Sequence, residues 1–142
     1  MTRPAGDVDV LSGLPPTCLD VYYDGRMIPG LHPELALAEG ANCQRFAYTV
    51  LAHFGLHVPP WGSSELWSDN DLTELVDDPQ PLDLALFAAS DDAWGAHVGV
   101  VTGPDEVLHL CAELGRPVVW TFHEFALRER YRTCIGFKRV RR

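Results

Sequence analysis

The stretch GANCQRFAYTVLAHFGLHVPP, residues 40–60, places a cysteine directly in front of an amphipathic run. Asn42 is a favourable N-cap for a helix that begins at Cys43, and Gly55 is a favourable stop. In a first turn, unpaired backbone N–H groups and the helix dipole lower the pKa of a thiol. Cys43 is therefore either a small residue of the core or an activated nucleophile. The apolar stripe that predicts this helix consists of Phe46, Ala47, Val50, Leu51 and Phe54.

The composition is that of one soluble globular domain, with 142 residues, 46% hydrophobic and 22% charged. A formal net charge of −9 disfavours nucleic acid and anionic membranes as partners, and we interpret the basic ending KRVRR as a solvated end. There is no apolar run long enough to span a membrane and no secretory signal, so we expect a cytoplasmic location unless another route exports the protein. The cysteines are widely spaced without a CxxC pair, which predicts reduced thiols; they are Cys18, Cys43, Cys111 and Cys134.

The fold class predicted from the order of patterns is α+β, with the Cys43 helix packed on an antiparallel sheet of about five strands. After a polar, Asp-rich connection at residues 62–80, the hydrophobic period changes from helical to alternating. A single helical segment, HEFALRERY at residues 123–131, interrupts the strands. The five predicted strands are residues 83–89, 97–103, 106–111, 116–122 and 133–140.

Residues 1–20 contain several Gly, Pro and Asp residues and show no regular hydrophobic period. Residues 1–39 are predicted to be an irregular segment of the same domain as residues 40–142. LDVYYDGRMI, residues 19–28, predicts a short extended pair around its Asp-Gly turn. HPELALAEG, residues 32–40, predicts a short helix with proline in its first turn.

Two histidines are candidates for the base that a thiol nucleophile requires. His97 begins one predicted strand, and His109 lies in the strand that follows it across a turn. If the connecting loop has an odd number of residues, both side chains point to the same face of the hairpin as diagonal neighbours; an even loop separates them. With the odd loop, Cys43, His97 and His109 would form a Cys–His–His triad. The backbone N–H of Cys43 would then supply part of an oxyanion hole.

Other interpretations of these residues remain open at this level. Each of the three side chains can be structural, since buried thiols and satisfied core histidines are common. A metal site is a further alternative, because His109 and Cys111 together with Cys43 and His97 offer soft ligands, although the spacing matches no standard zinc pattern.

Taken together, the motifs resemble those of the NlpC/P60 cysteine peptidases, members of the papain-like superfamily. Residues 43–64 are similar to the nucleophile helix of that family and to the segment that follows it. Asp83 matches the aspartate of the family's Gly-Asp-Leu strand, HVGVV matches its His-Val-Gly-Ile strand, and His109 in VLHL matches its third polar residue. The resemblance covers roughly residues 40–140, with four motifs in the family's order.

The resemblance implies amide hydrolysis through an acyl-enzyme, with Cys43 as nucleophile, His97 as general base and acid, and His109 as the orienting residue. In the family the substrate is most often a stem peptide of the bacterial cell wall. No cofactor and no metal are implied. The expected function is a cysteine peptidase or amidase acting on a peptide or an acylated amine. The alternative is a catalytically silent module that uses the papain-like groove to hold a peptide or a partner protein.

The chain departs from the family pattern beside the nucleophile. Where the family usually has Asp-Cys-Ser-Gly, this chain has Asn42, Cys43, Gln44 and Arg45. A neutral Asn42 loses the charge-assisted contact with a substrate amine, so specificity for wall peptides is not expected to carry over unchanged. Asn-Cys followed by a polar pair and Phe is also similar to the lecithin-retinol-acyltransferase-like branch. That branch usually places its histidine before its cysteine, so the NlpC/P60 resemblance ranks first.

The side chain that completes the oxyanion hole is not identified by the pattern. The family tends to place a tyrosine about twelve residues before its cysteine, and this chain has Leu31 there with His32 beside it. Tyr22 or Tyr23 could take that place. Trp61, in the aromatic connection PPWGSSELW, is a further candidate for the substrate groove.

Overall fold

The computed structural model describes residues 9–30 and 40–142 and has at its centre a six-stranded antiparallel sheet. The strand order across the sheet is β1-β6-β2-β3-β4-β5, so the last strand of the chain is inserted between the first two. The strands are β1 (Thr73–Val76), β2 (Leu84–Ala88), β3 (His97–Gly103), β4 (Glu106–Cys111), β5 (Arg116–Trp120) and β6 (Thr133–Val140).

The helices are short, apart from the one that carries the cysteine. This helix begins at Cys43, where the Asn42 side chain caps it, and a left-handed Gly55 follows its end. None of the helices in the described ranges has the length and apolar character needed to cross a bilayer. The α-helices are α1 (Val10–Gly13), α2 (Cys43–His53), α3 (Ser63–Ser68) and α4 (Phe122–Ala126), and 3₁₀ turns cover Pro16–Leu19 and Glu129–Tyr131.

Each face of the sheet is covered by a different layer. Alternate residues of β2, β3 and β4 pack with α2 on one face; they include Leu84, Leu86, Val98, Val100, Leu108 and Leu110. The intervening residues pack on the other face with an aromatic group from β5, α4 and the turn before β6; this layer includes Phe87, Val101, Trp120, Phe125 and Tyr131. Because both faces are covered, most residues of β2, β3 and β4 are buried.

The α+β prediction is confirmed, with corrections to its details. The sheet has six strands rather than about five, because residues 73–76 form an edge strand that pairs only with β6. This strand and helix α3 lie in the segment that we predicted to be a polar connection. The predicted extended pair at residues 19–28 is wrong: Tyr23 forms an isolated parallel bridge with Ala41. The helix predicted at residues 32–40 falls mainly on residues 31–39, outside the described ranges.

A β-bulge in the β3–β4 hairpin sets the register of this pair. Val101 lies opposite Val107, but the next pair joins Gly103 to Glu106. β3 therefore contains one residue more than β4 at this point, and the extra residue is Thr102. The two-residue turn between Gly103 and Glu106 would by itself give an even loop. The bulge adds one residue and makes the effective loop odd.

This register places the two histidines on one face. The pair of Val100 with Leu108, extended by one residue on each strand, brings Gly99 opposite His109. His97 is two residues from Gly99, so its side chain points to the same side as that of His109. Both rings lie on the face covered by the aromatic layer.

Gly99 provides the space that this arrangement needs. A Cβ atom at Gly99 would lie 2.5 Å from Val107 Cγ1 and 3.1 Å from His109 Cβ. Because these neighbours sit in a packed core, any side chain at this position has to displace the Val107 side chain or shift strand β4.

A buried ion pair joins the start of β2 to β6. The Asp83 carboxylate is 2% exposed and accepts hydrogen bonds from Arg139 Nε and Nη2, each 2.8 Å long. It also accepts a hydrogen bond from the backbone N–H of Gln80 at 2.7 Å. The Asp83 carboxylate thus stabilises the strand inserted between β1 and β2.

We expect Gly99→Ala to lower the free energy of unfolding by about 1–3 kcal/mol, since it overpacks the hairpin. The matched control is Gly103→Ala on the same strand, where a Cβ would have its nearest contact at 3.6 Å. This control is expected to change stability by no more than about 0.5 kcal/mol. Urea unfolding measures both, and equal midpoints for the two variants would contradict the steric argument.

Asp83→Ala is expected to cost about 3 kcal/mol, because it leaves the Arg139 guanidinium without its buried partner. The control is Glu74→Ala, which removes the exposed Glu74–Arg141 pair and should cost less than about 1 kcal/mol. Urea unfolding at neutral pH compares the two variants. A similar loss in both would show that the Asp83 pair contributes no more than a surface pair.

Candidate active site

A cavity of about 520 Å³ opens at the end of the sheet where β2 ends and β3 begins. Cys43 and His97 both line it, together with the loop that joins these two strands. Ser63 holds this loop in place: its hydroxyl donates to the Ala93 carbonyl at 2.6 Å and accepts from the Ala96 N–H at 3.0 Å. The cavity thus lies between the layer of α2 and the opposite, aromatic layer.

Cys43 is held at the cavity wall by the start of α2. Asn42 Oδ1 accepts a hydrogen bond from the Arg45 N–H at 2.8 Å, which caps the helix. Asn42 Nδ2 donates to Gln44 Oε1 at 2.6 Å, and Gln44 Nε2 donates to the Ala96 carbonyl at 3.2 Å. The two amides that replace the expected Asp-Ser pair therefore connect the helix to the loop before β3.

Burial dominates the protonation of the Cys43 thiol. It raises the pKa of this thiol to about 11, although the backbone N–H groups of Val98, Gln44 and Cys43 and the charge of Arg130 act in the opposite direction. The helix start therefore lowers the pKa as the sequence predicts, but by less than desolvation raises it. The resting thiol is protonated at neutral pH.

His97 and His109 form a hydrogen-bonded pair. His97 Nε2 lies 2.7 Å from His109 Nδ1, and the two rings are nearly perpendicular. Burial lowers the pKa of His97 to about 3, with a further contribution from the charge of Arg130. Burial also lowers the pKa of His109 to about 2, with contributions from His97 and Arg128. Both imidazoles are neutral at physiological pH, so one nitrogen of the pair donates and the other accepts.

An aromatic enclosure surrounds His109. Its ring centroid lies 4.4 Å from that of Trp120 and 4.6 Å from that of Phe125, and its Nε2 is buried with no hydrogen-bond partner among the described residues. An N–H directed at aromatic faces is favourable, whereas a nitrogen lone pair there is not. The enclosure therefore favours a proton on His109 Nε2. His109 Nδ1 then accepts from His97 Nε2, which leaves His97 Nδ1 unprotonated.

No hydrogen bond joins Cys43 Sγ to the His97 ring within the described ranges. Both side chains are nevertheless buried and line the same cavity. The sulfur lies beside the N–H of Val98, the residue that follows His97. In a general-base reaction the thiol–imidazole contact tightens when substrate binds, and unliganded sites often show it as long.

The remaining residues predicted for the site fall in different places. Tyr23 lines the cavity, and its backbone N–H donates to the Gly115 carbonyl at 2.9 Å. Tyr22 is about half exposed and lies outside the cavity lining. Trp61 packs partly buried against the core, where its carbonyl accepts a hydrogen bond from Tyr48. His32 and Leu31 lie outside the described residues.

Several residues of the cavity were missed by sequence reasoning. Arg130 and Tyr131 line it from the 3₁₀ turn before β6, and Trp94 lies at its edge with 79% of its surface exposed. No local pattern in the sequence connects these residues with Cys43. Only the packing of the turn against β2 and the histidines brings them together.

All four cysteines are free thiols. Across the described residues, no group of three or more His, Cys, Asp or Glu side chains is arranged to hold a metal ion. Cys111, considered above as a ligand, is buried in the aromatic layer with Val107 and Trp120.

No protein-family model matches the sequence, and no curated protein matches it. Among solved structures, the fold is similar to an NlpC/P60 family protein from Bacillus cereus ATCC 10987, with 19% identity and a TM-score of 0.60 over 98% of this chain and 41% of that one. It is also similar to NlpC1 from Trichomonas vaginalis, with 14% identity and a TM-score of 0.65 over 99% of this chain and 46% of that one. The chain spans less than half the length of either protein. The predicted resemblance is therefore confirmed at the level of architecture, and this chain has the papain-like fold of NlpC/P60 proteins.

Proposed function

We propose that this protein is a cysteine hydrolase that cleaves an amide bond through an acyl-enzyme on Cys43. The observation that carries the proposal is the hydrogen bond between His97 and His109. His97, the first of the pair, lines the same cavity as Cys43. A thiol, a neutral imidazole and a group that orients that imidazole are the parts that this chemistry needs.

The proposed reaction follows from the protonation of the resting site. Cys43 Sγ attacks the carbonyl carbon while its proton passes to His97 Nδ1. His97 Nε2–H donates to His109 throughout, which stabilises the imidazolium as it forms. The backbone N–H of Cys43, at the start of the helix, would donate to the developing oxyanion. His97 then protonates the leaving amine, and water hydrolyses the thioester with His97 as base.

The proposed substrate class is a peptide or an acylated amine. A cell-wall stem peptide is one member of this class, supported by the likeness to NlpC/P60 folds alone. Asn42 and Gln44 present neutral amides to the cavity and bond to each other. A free substrate amine would therefore find no carboxylate at this position.

A second candidate is a silent module that binds a peptide or partner protein in the same cavity. The raised pKa of the Cys43 thiol favours it, since a protonated thiol without a base is inert. The two candidates differ in whether His97 removes the proton from the thiol.

The pH dependence of Cys43 alkylation by iodoacetamide distinguishes them. If His97 acts as base, the rate should be flat between the lowered pKa of His97 and the raised pKa of Cys43, because in this range the pair holds one proton. In His97→Ala the rate should instead rise about tenfold per pH unit up to the thiol pKa. Mass spectrometry of each cysteine measures the rates, and exposed Cys134 serves as the internal control. A tenfold rise per unit in the wild type as well would favour the silent module.

Acylation is tested in the same variants. We expect p-nitrophenyl acetate to give a burst of nitrophenol and an acetyl group on Cys43, detected by mass spectrometry. His97→Ala should slow acylation by about 10³-fold or more, and Cys43→Ala should abolish it. Panels of peptides and acylated amines then identify the substrate. No acyl adduct on wild-type Cys43 would refute the hydrolase.

His109→Leu is expected to reduce the acylation rate by about 10²-fold, since it removes the acceptor for His97 Nε2–H. His109→Asn restores an acceptor atom near the position of Nδ1 and should remain within about tenfold of the wild type. Loss of the acceptor should also lower the pKa of His97 and so move the acid edge of the flat region to lower pH, an effect that lost stability alone would not produce. Equal activity in the two variants, at equal folded fraction by circular dichroism, would contradict an orienting role.

A further inference from the structure

One positive charge faces the cavity of the nucleophile. Arg130 is the only arginine or lysine among the described residues that line it. Its guanidinium carbon lies 5.2 Å from the centroid of the Tyr131 ring, a cation–π contact that orients the group without neutralising it. Arg130 forms no salt bridge with any described carboxylate. Its hydrogen-bond donors are therefore available to a ligand in the cavity.

The neighbouring arginines are used by the fold. Arg128 pairs with Glu113 and lies over the Trp120 ring. Arg132 Nε donates to the Ala89 carbonyl at 2.9 Å. Arg130 differs from both because its described contact is with a ring that also lines the cavity. The protein has a net charge of −9, with fewer basic than acidic residues. An arginine without a described salt bridge in the cavity of the nucleophile is therefore not what the overall composition would lead one to expect.

The one described carboxylate in the cavity lining does not cancel this charge. Asp92 Oδ1 accepts a hydrogen bond from the Trp94 N–H at 3.0 Å, and Asp92 forms no salt bridge with Arg130. The cavity therefore has two separate charged positions. Arg130 lines the same cavity as Cys43 and His97, and its charge acts to lower the pKa of both and of Tyr23, so it lies within electrostatic range of these groups.

Building on the proposed function, we propose that Arg130 binds a free carboxylate of the substrate, so that the enzyme prefers acyl compounds with a negative charge close to the scissile amide. A guanidinium presents two parallel N–H donors that match the two oxygens of a carboxylate. The carboxylate can be the C-terminus of a peptide or an acidic side chain. Both sources present the same group to Arg130, and the test separates them.

The binding test uses Cys43→Ala, which keeps the cavity and removes the reaction. NMR titrations compare N-acetylalanine with N-acetylalanine amide at low ionic strength, where charge interactions are least screened. We expect the acid to bind about fivefold more tightly, and adding Arg130→Gln should remove this preference. Arg130→Lys should retain part of it. The α-amide of N-acetylglutamic acid carries only a side-chain carboxylate, whereas N-acetylalanine carries only a C-terminal one. The tighter binder of the two shows whether Arg130 prefers an acidic side chain or a C-terminus.

Two control variants isolate the position of the charge. Asp92 lines the same cavity, and the variant Asp92→Asn should leave the preference for the acid unchanged or increase it. Arg142→Gln makes the same charge change at an exposed position on the C-terminal side of β6 and should have no effect. Equal binding of the acid and the amide, or a preference that survives Arg130→Gln, would overturn the proposal.

A second measurement uses the wild-type thiol. The ratio of alkylation rates with iodoacetate and iodoacetamide cancels the amount of thiolate, because both reagents react with the same species. At Cys43 this ratio should exceed that at Cys134, where the net negative charge of the protein repels iodoacetate. Arg130→Gln should lower the Cys43 ratio about fivefold; an unchanged ratio would contradict the proposal. A carboxylate preference without acylation of Cys43 would support the anion site while refuting the hydrolase.

Discussion

The register of the β3–β4 hairpin is the constraint on which the candidate site depends. Thr102 is an extra residue on β3, and it changes the pairing from an even loop to an odd one. Only in this register do His97 and His109 point to the same face. The absence of a side chain at Gly99, opposite His109, gives the hairpin room to close. A local backbone feature near the turn thus determines a side-chain contact at the far end of the strands.

The second determinant of the site is the balance between desolvation and local polar groups. At Cys43 the helix start and the adjacent N–H groups favour the thiolate, but burial disfavours it more strongly. Burial likewise keeps His97 and His109 neutral. A resting thiolate–imidazolium pair is therefore disfavoured, and any reaction has to move the proton while the substrate is attacked. The aromatic enclosure of His109 favours the tautomer in which His97 Nδ1 carries no proton.

The site also depends on two layers that meet at one end of the sheet. Cys43 comes from the α2 layer, whereas the histidine rings lie in the aromatic layer on the opposite face. His97 is the first residue of β3, so its side chain reaches the point where both layers end. The same end receives Arg130 from the turn before β6. A cysteine, a histidine and an arginine from distant parts of the chain thus line one cavity.

The sequence by itself determined the elements whose signals are local. The N-cap at Asn42 and the apolar stripe after Cys43 predicted where α2 begins, and alternation predicted five of the six strands. It did not predict the strand at residues 73–76, because four half-polar edge residues carry too weak a pattern and are stabilised by pairing with β6.

The tertiary structure alone decided what depends on contacts between distant residues. The bulge at Thr102 is one such feature. The turn residues are compatible with an even or an odd number of loop residues, so the sequence does not show which of the two occurs. The raised pKa of the Cys43 thiol is another, because desolvation is produced by the layers packed around it. The position of Arg130 at the cavity is a third. Periodicity and capping act over a few residues, whereas register, burial and the meeting of layers arise only when the whole chain has packed.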